Sequence, residues 1–291
     1  MSEGNSLINL GDISKPATVL IEKISNAIGI IYEPTRTKRM AKAEIFAAKI
    51  KAEGDIEITE IQQRAMQRII YSEERKQENI ESITAQAIGQ LNDSASPQDI
   101  EDDWLSNFFE KCKNISNNEM QSLWAGILAG ESNKPGSYSK RTIELISTLD
   151  KTEADLFTSI CSLSIAVDPS GNKVLPIFLN HSTDLFKNLG LNYTTLSNLD
   201  SIGLIKFTPN ASVRLPTIPP RLSCYYFDSL LLFSFPQKEA NVMLLGDVML
   251  TKVGDQLSSI CGAKPIPGFL DHITSEYAKA KVILSVIPLR P

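Results

Sequence analysis

STDLFKNLGLNYTTLSNLDSIGLIKF, residues 182–207, decides how the C-terminal half is read. Leu185, Phe186 and Leu189 fall at helical spacing, and Leu189-Gly190-Leu191 breaks the pattern. A second helix over 192–201 then places Leu196, Leu199 and Ile202 on one face, and Gly203 stops it. Leu204-Ile205-Lys206-Phe207 is short, apolar and bounded by turn residues, which predicts a strand. Farther on, Val242 to Leu245, Gly246-Asp247, and Val248 to Thr251 predict a tight hairpin. Val253-Gly254-Asp255-Gln256-Leu257 then opens another helix.

Helix, break, helix, the GLI strand, hairpin and LT-x-x-G-x-x-L together resemble a winged-helix domain over residues 182–261. In members that bind DNA, the second helix enters the major groove and carries cations. Residues 192–201 contain no Lys or Arg and include Asp200. Phosphate neutralisation supplies most nonspecific affinity, so nucleic acid is not an expected partner of this helix. Tyr193, Thr194, Thr195 and Asn198 are the candidate contacts to a protein partner, with an ordinary polar helix face as the plainer alternative. The insertion 208–239 carries five prolines and the apolar run Tyr225 to Phe235, which predicts paired strands in a buried sheet.

Upstream, the chain reads as helical. From Met40 to Leu91 there is no proline, and Ala, Glu, Lys, Gln, Arg and Ile dominate. Apolar residues recur at Ala43, Phe46, Ile50, then Ile58, Ile61, Ala65, Ile69, then Ile80, Ile83, Ala87, Leu91. Gly54-Asp55 and the polar run SEERKQEN, residues 72–79, interrupt this seam, which suits a helical hairpin or a self-associating helix. Pro97 with Ser96 before it predicts a helix start leading to Trp104, Phe108, Phe109 and Cys112. Ser116 to Glu119 reads as a capping box, with Gly130 as the stop of the helix that follows. Asp150 to Glu153 repeats the capping pattern ahead of Leu156, Phe157, Ile160 and Leu163.

At the start, Leu20, Ile24, Ile28 and Ile31 form the apolar stripe of a short amphipathic helix over 17–32, and Pro34 ends it. Arg36, Lys38, Arg39 and Lys42 follow at once. Apolar stripe plus basic cluster is a candidate contact to a membrane surface or to phosphate; packing on the protein with a solvated basic flank is the plainer reading and the favoured one. The stretch is shorter than the roughly 20 residues that cross a bilayer. MSEGNSLINLGDISKP lacks the basic start and apolar run of a secretory signal, so the expected location is cytoplasmic, with a peripheral membrane association left open.

The 291 residues carry a formal net charge of −5, which argues against a protein whose main task is coating nucleic acid. With 42% hydrophobic residues the chain is apolar enough to form a core. Cys112, Cys161, Cys224 and Cys261 show no metal-ligand spacing and read as buried thiols. His181 and His272 sit in no pattern that supplies a nucleophile or a metal ligand, and nucleotide-binding and hydrolase motifs are missing. Glu101-Asp102-Asp103 lies in a helix's first turn, where the dipole accounts for it. No catalytic residue, cofactor or metal is therefore expected.

Four strings carry a wider resemblance: PATVLIEKISNAIGIIYEPTRTKRMAKAE, RAMQRIIYSEERKQENIESI, DDWLSNFFEKCKNISNNEMQSLWAGILAGE and PGSYSKRTIELISTLDKTEADLF. They resemble a bacterial family known as domain of unknown function 2806, most specifically around Trp104, Trp124 and Pro135-Gly136. A looser likeness to abortive-infection alpha proteins lies in the helices from Trp124 to Leu163. The resemblance implies no activity or cofactor, and its setting implies defence against phage.

The expected class is mainly α: an amphipathic helix over 1–34, an extended helical region over 35–95, aromatic-rich helical hairpins over 96–166 and a winged-helix-like α+β module over 167–291. The expected function is a non-enzymatic interaction or sensor protein that self-associates through its N-terminal helices. Its expected partner is a phage component or a companion defence protein. A membrane-surface sensor using residues 17–42 and a DNA-binding winged-helix regulator are the alternatives.

Overall fold

The computed structural model describes residues 14–29, 60–169, 173–179, 182–209 and 211–289. The chain divides into two compact units between Ser147 and Thr148. The described residues are 52% helix and 18% strand, with antiparallel sheets in the C-terminal half, so the class is mixed α+β with helix in the larger share.

In the first unit, α1 (Lys15–Ile28) starts at Ser14, whose Oγ accepts the Ala17 N–H at 3.4 Å. It closes at Gly29, where a φ of 90° serves as C-cap, ahead of the Pro34 stop read from the sequence. Ile31 and Pro34 lie outside the described residues. Ala17, Leu20, Ile21 and Ile24 are buried, and the helix packs on a 3-10 turn (Pro97–Asp99) and on α3 (Asp102–Cys112). Ser96 makes no capping bond, so Pro97 begins only that 3-10 turn and the helix proper starts five residues later.

The long α2 (Glu60–Ile88) runs unbroken through SEERKQEN, because residues that form helix well need no burial to continue one. Its second half buries Asn79, Ile83, Thr84 and Ala87 and packs on α4 (Asn118–Asn133). The cap of α4 is Asn117, whose Oδ1 accepts the Met120 N–H at 3.1 Å, one residue later than the Ser116 box. Gly130 does not stop this helix. A Cβ there would lie 2.6 Å from the Tyr138 ring, so glycine is required by close packing. Trp104 stacks on Phe108 with centroids 5.1 Å apart, and Phe108 meets the edge of Trp124 at the same separation. The short α5 (Lys140–Thr148) adds Ile143 and Ile146 to this core.

The second unit opens with α6 (Lys151–Ser162), whose capping box forms as expected: Asp150 Oδ1 accepts the Glu153 N–H and Glu153 Oε2 accepts the Asp150 N–H. Then come β1 (Ser164–Ala166), β2 (Val174–Pro176), α7 (Asp184–Asn188), α8 (Tyr193–Ser201) and β3 (Ile205–Phe207). The insertion holds β4 (Val213–Ile218), β5 (Arg221–Tyr226) and β6 (Ser229–Ser234), followed by β7 (Asn241–Gly246) and β8 (Val248–Leu250). The chain continues through α9 (Lys252–Ser258), α10 (Phe269–Lys279) and β9 (Ile283–Pro288).

Antiparallel pairing orders one sheet β2-β1-β5-β6-β9, with β3-β8 and β4-β7 as two-stranded ribbons. The run Tyr225 to Phe235 enters the five-stranded sheet as the β5-β6 hairpin and buries Tyr226, Leu231 and Phe233. The expected hairpin between 242–245 and 248–251 does not form: β7 pairs with β4, and β8 pairs with β3. Gly246 makes that divergence. At φ 98° it lies against the Phe178 backbone, so close that a Cβ would overlap the Phe178 carbonyl, and Phe178 N–H donates to Leu245 O at 2.6 Å.

Candidate interaction surface

A helix whose two halves have different surroundings is the first feature. The second half of α2 is a packed wall, whereas its first half exposes Ile61 by 71%, Ile69 by 59% and Tyr71 by 67%. Ile61, Ala65 and Ile69 follow one another at four-residue steps, and Met66 and Ile70 lie beside them, both exposed. That is a narrow apolar stripe of the kind that another helix covers. Arg64 pairs with Glu60 at 3.8 Å on the same exposed half.

The candidate partner contacts on α8 separate into two roles. Asn192 caps the helix by accepting the N–H groups of Thr194 and Thr195, while Thr195 Oγ1 accepts the Asn192 N–H at 3.0 Å and donates to Gly190 O at 2.7 Å. Thr195 is therefore committed to the cap. Tyr193, 63% exposed, turns its ring edge towards Phe207 with centroids 5.6 Å apart, and Thr194 is exposed. Asn198 donates to Glu153 Oε1 at 3.3 Å. The cations nearest in sequence each face an acid, Lys187 with Asp184 at 3.6 Å and Lys206 with Asp200 at 3.9 Å.

On α1, Ile24 is fully buried and Ile28 is half-buried. Ile24 is thus spent on packing within the first unit and has no surface to offer lipid. Ile31, Arg36, Lys38, Arg39 and Lys42 lie outside the described residues. No helix among the described residues is long and apolar enough to cross a membrane.

Charged and titratable groups hold structure together. Asp102 of the acidic triplet pairs with Lys23 at 2.7 Å. His272 Nε2 contacts Leu179 O at 2.8 Å, and its ring meets Phe186 edge-on at 5.4 Å; His181 lies outside the described residues. Among the described residues no group of three or more His, Cys, Asp and Glu could hold a metal ion.

Sequence reasoning missed a buried carboxylate. Glu131, 4% exposed, accepts the Gly136 N–H at 2.6 Å through Oε1 and the Tyr138 N–H at 2.8 Å through Oε2. Burial pushes its carboxyl above the usual value, against the pull of the Gly136, Tyr138 and Ser137 N–H groups. Trp104 Nε1 donates to Tyr138 O at 2.8 Å, so Glu131 and Trp104 clamp the same loop from two helices. The clue in the sequence is an acid on the apolar face of α4, four residues before Pro135.

The family model described as protein of unknown function, DUF2806, matches residues 63–274. This chain belongs to the DUF2806 family. No curated protein and no solved structure was found to match. The DUF2806 match takes in the clamp at Glu131, the α8 face and most of the exposed half of α2, whereas α1 and the basic cluster after it fall outside.

Proposed function

We propose that the chain is a non-enzymatic interaction protein that self-associates through the first half of α2 and recognises a further protein through its second unit. The observation that carries this reading is the stripe Ile61, Ala65, Ile69 with Met66 and Ile70. Contiguous exposed apolar residues on one helix face are costly to hydrate and mark contact surfaces. A second copy presents the same stripe, so a symmetric helix pair covers both at once.

The second unit reads as winged-helix-like. Supporting this are the order α6, β2, α7, α8, β3, insertion, β8, the antiparallel pairing of β3 with β8, and the position of β2 beside β8. Thr251 ties the motif together by capping α9 and bonding back to Gly203 O at 2.6 Å. In this reading 208–247 is an enlarged wing. The α8 face, with Tyr193, Thr194 and Asn198 outermost and no cation, suits a protein surface better than phosphate.

The setting, anti-phage defence with a phage component or companion protein as partner, rests on the likeness of the helices from Trp124 to Leu163 to abortive-infection alpha proteins. Sedimentation over a concentration series tests the self-association: wild type is expected to sediment as an oligomer, and Ile61→Glu with Ile69→Glu as a monomer. A wild-type chain that remains monomeric at every concentration overturns the reading.

A further inference from the structure

Cys161 and Cys261 are 100 positions apart in sequence and adjacent in the fold. Cys161 lies in the last turn of α6, 5% exposed. Cys261 lies in the segment that joins α9 to α10 and is half-buried. Two hydrogen bonds fix that segment on α6 on either side of Cys161. Thr158 Oγ1 donates to Cys261 O at 3.1 Å, and Ser162 Oγ accepts the Lys264 N–H at 3.1 Å. Tyr226 braces the same place, its hydroxyl donating to Ser162 O at 3.0 Å and accepting the Ile266 N–H at 2.7 Å. Within this frame the two thiols are close enough to influence each other's charge, and Cys261 Sγ donates to Ser258 O at 3.3 Å.

We propose that Cys161 and Cys261 are a peroxide-oxidised dithiol, in which Cys261 reacts with a hydroperoxide and Cys161 resolves the product as an intramolecular disulfide. The roles follow from access and charge. Cys261 is the less buried of the two, and the neighbouring Cys161, with help from the Ala263 N–H and Thr158 and against the burial that opposes it, draws its thiol below the ordinary 9.0. Burial pushes the Cys161 thiol well above that value, which leaves Cys161 the slower of the two to react with an oxidant.

The Cys261 thiolate attacks one peroxide oxygen, the O–O bond breaks, and Cys261 becomes a sulfenic acid while the other oxygen leaves and is protonated to water or alcohol. The Cys161 sulfur then attacks the Cys261 sulfur. An S–S bond forms, the S–O bond breaks, and the departing hydroxide takes the Cys161 proton as water. Two thiols lose two electrons and one peroxide gains them. The product would staple α6 to the α9–α10 segment across about 100 residues of chain, a length at which a cross-link restricts the unfolded state strongly.

The full-length reduced chain is treated with stoichiometric hydrogen peroxide, and its thiols are counted and its peptides mapped without reduction. The expected result is a fall from four thiols to two, a Cys161–Cys261 linked peptide lighter by two hydrogens, intact thiols at Cys112 and Cys224, and a melting temperature raised by on the order of 10 °C. Cys161→Ser should leave a sulfenic acid on Cys261 that dimedone traps, and Cys261→Ser should slow peroxide consumption by about tenfold or more. Four surviving thiols, or Cys261 oxidised to sulfinic acid in wild type while Cys161 stays a thiol, overturns the proposal. So does a linkage that involves Cys112 or Cys224.

Discussion

Replacing Gly254 with alanine separates local propensity from tertiary packing, because the two predict opposite signs. Gly254 is the third residue of α9, and alanine inside a helix is better than glycine by about 1 kcal/mol. A Cβ at this position, however, would overlap the Leu204 carbonyl oxygen and meet Phe157 Cε2 at 3.4 Å. That oxygen belongs to backbone and already accepts the Thr251 N–H and Oγ1, both at 3.1 Å, so it cannot swing aside. The start of α9 must withdraw. Withdrawal breaks the two bonds to Leu204 O and the 2.6 Å bond from Thr251 Oγ1 to Gly203 O, and weakens the cap on Gly254.

At about 1 kcal/mol for each direct bond and about 1 for the cap, the loss is roughly 3 to 4 kcal/mol, which the propensity gain reduces to about 2 to 3. Urea unfolding of the full chain, followed by far-UV circular dichroism, reads this directly. Both tryptophans belong to the first unit, so the transition seen by tryptophan fluorescence is the internal control. A variant as stable as wild type, or more stable, would refute the packing of α9 on the Leu204 carbonyl.

Two further outcomes follow from the first unit. Trp104→Phe removes the 2.8 Å indole bond to the buried Tyr138 carbonyl, whereas Trp124→Phe removes an indole N–H that has no partner among the described residues, so the first should cost about 1 to 2 kcal/mol more in urea unfolding. Glu131 has a folded-state pKa above its ordinary 4.5, so its protonated form favours the fold and stability falls as pH rises from that value through the folded one. Urea midpoints across that window should show the advantage of wild type over Glu131→Gln shrinking with rising pH; an advantage that grows would mean that the loop N–H groups outweigh burial.

What the sequence reveals here is local and what it hides is non-local. The cap of α6 at Asp150 and Glu153 is three residues wide and reads correctly, and the α8 helix is legible over 192–201 from the spacing of Leu196, Leu199 and Ile202. Gly130 and Gly246 read as a stop and a turn, because glycine suggests freedom when seen alone. Their real constraints are the Tyr138 ring and the Phe178 backbone, 8 and 68 residues away in sequence. The hairpin expected at 242–251 fails for a related cause: two short apolar runs around Gly-Asp look the same whether they pair with each other or with β4 and β3. Of the candidate contacts, Tyr193, Thr194 and Asn198 reach the surface as the helical period requires. Thr195 is half-buried, and its hydroxyl is taken up by the capping box. The Cys161–Cys261 pair left no trace in spacing at all.

Site-specific cross-linking tests the central claim most directly. In a Cys261→Ser background, Ile70→Cys places one reactive thiol beside the exposed stripe of α2, and a short bismaleimide then joins copies only where their stripes meet. The account predicts a covalent dimer that disappears when Ile61→Glu and Ile69→Glu are added. Monomer alone in both cases, at concentrations where the native cysteines remain unmodified, would contradict it.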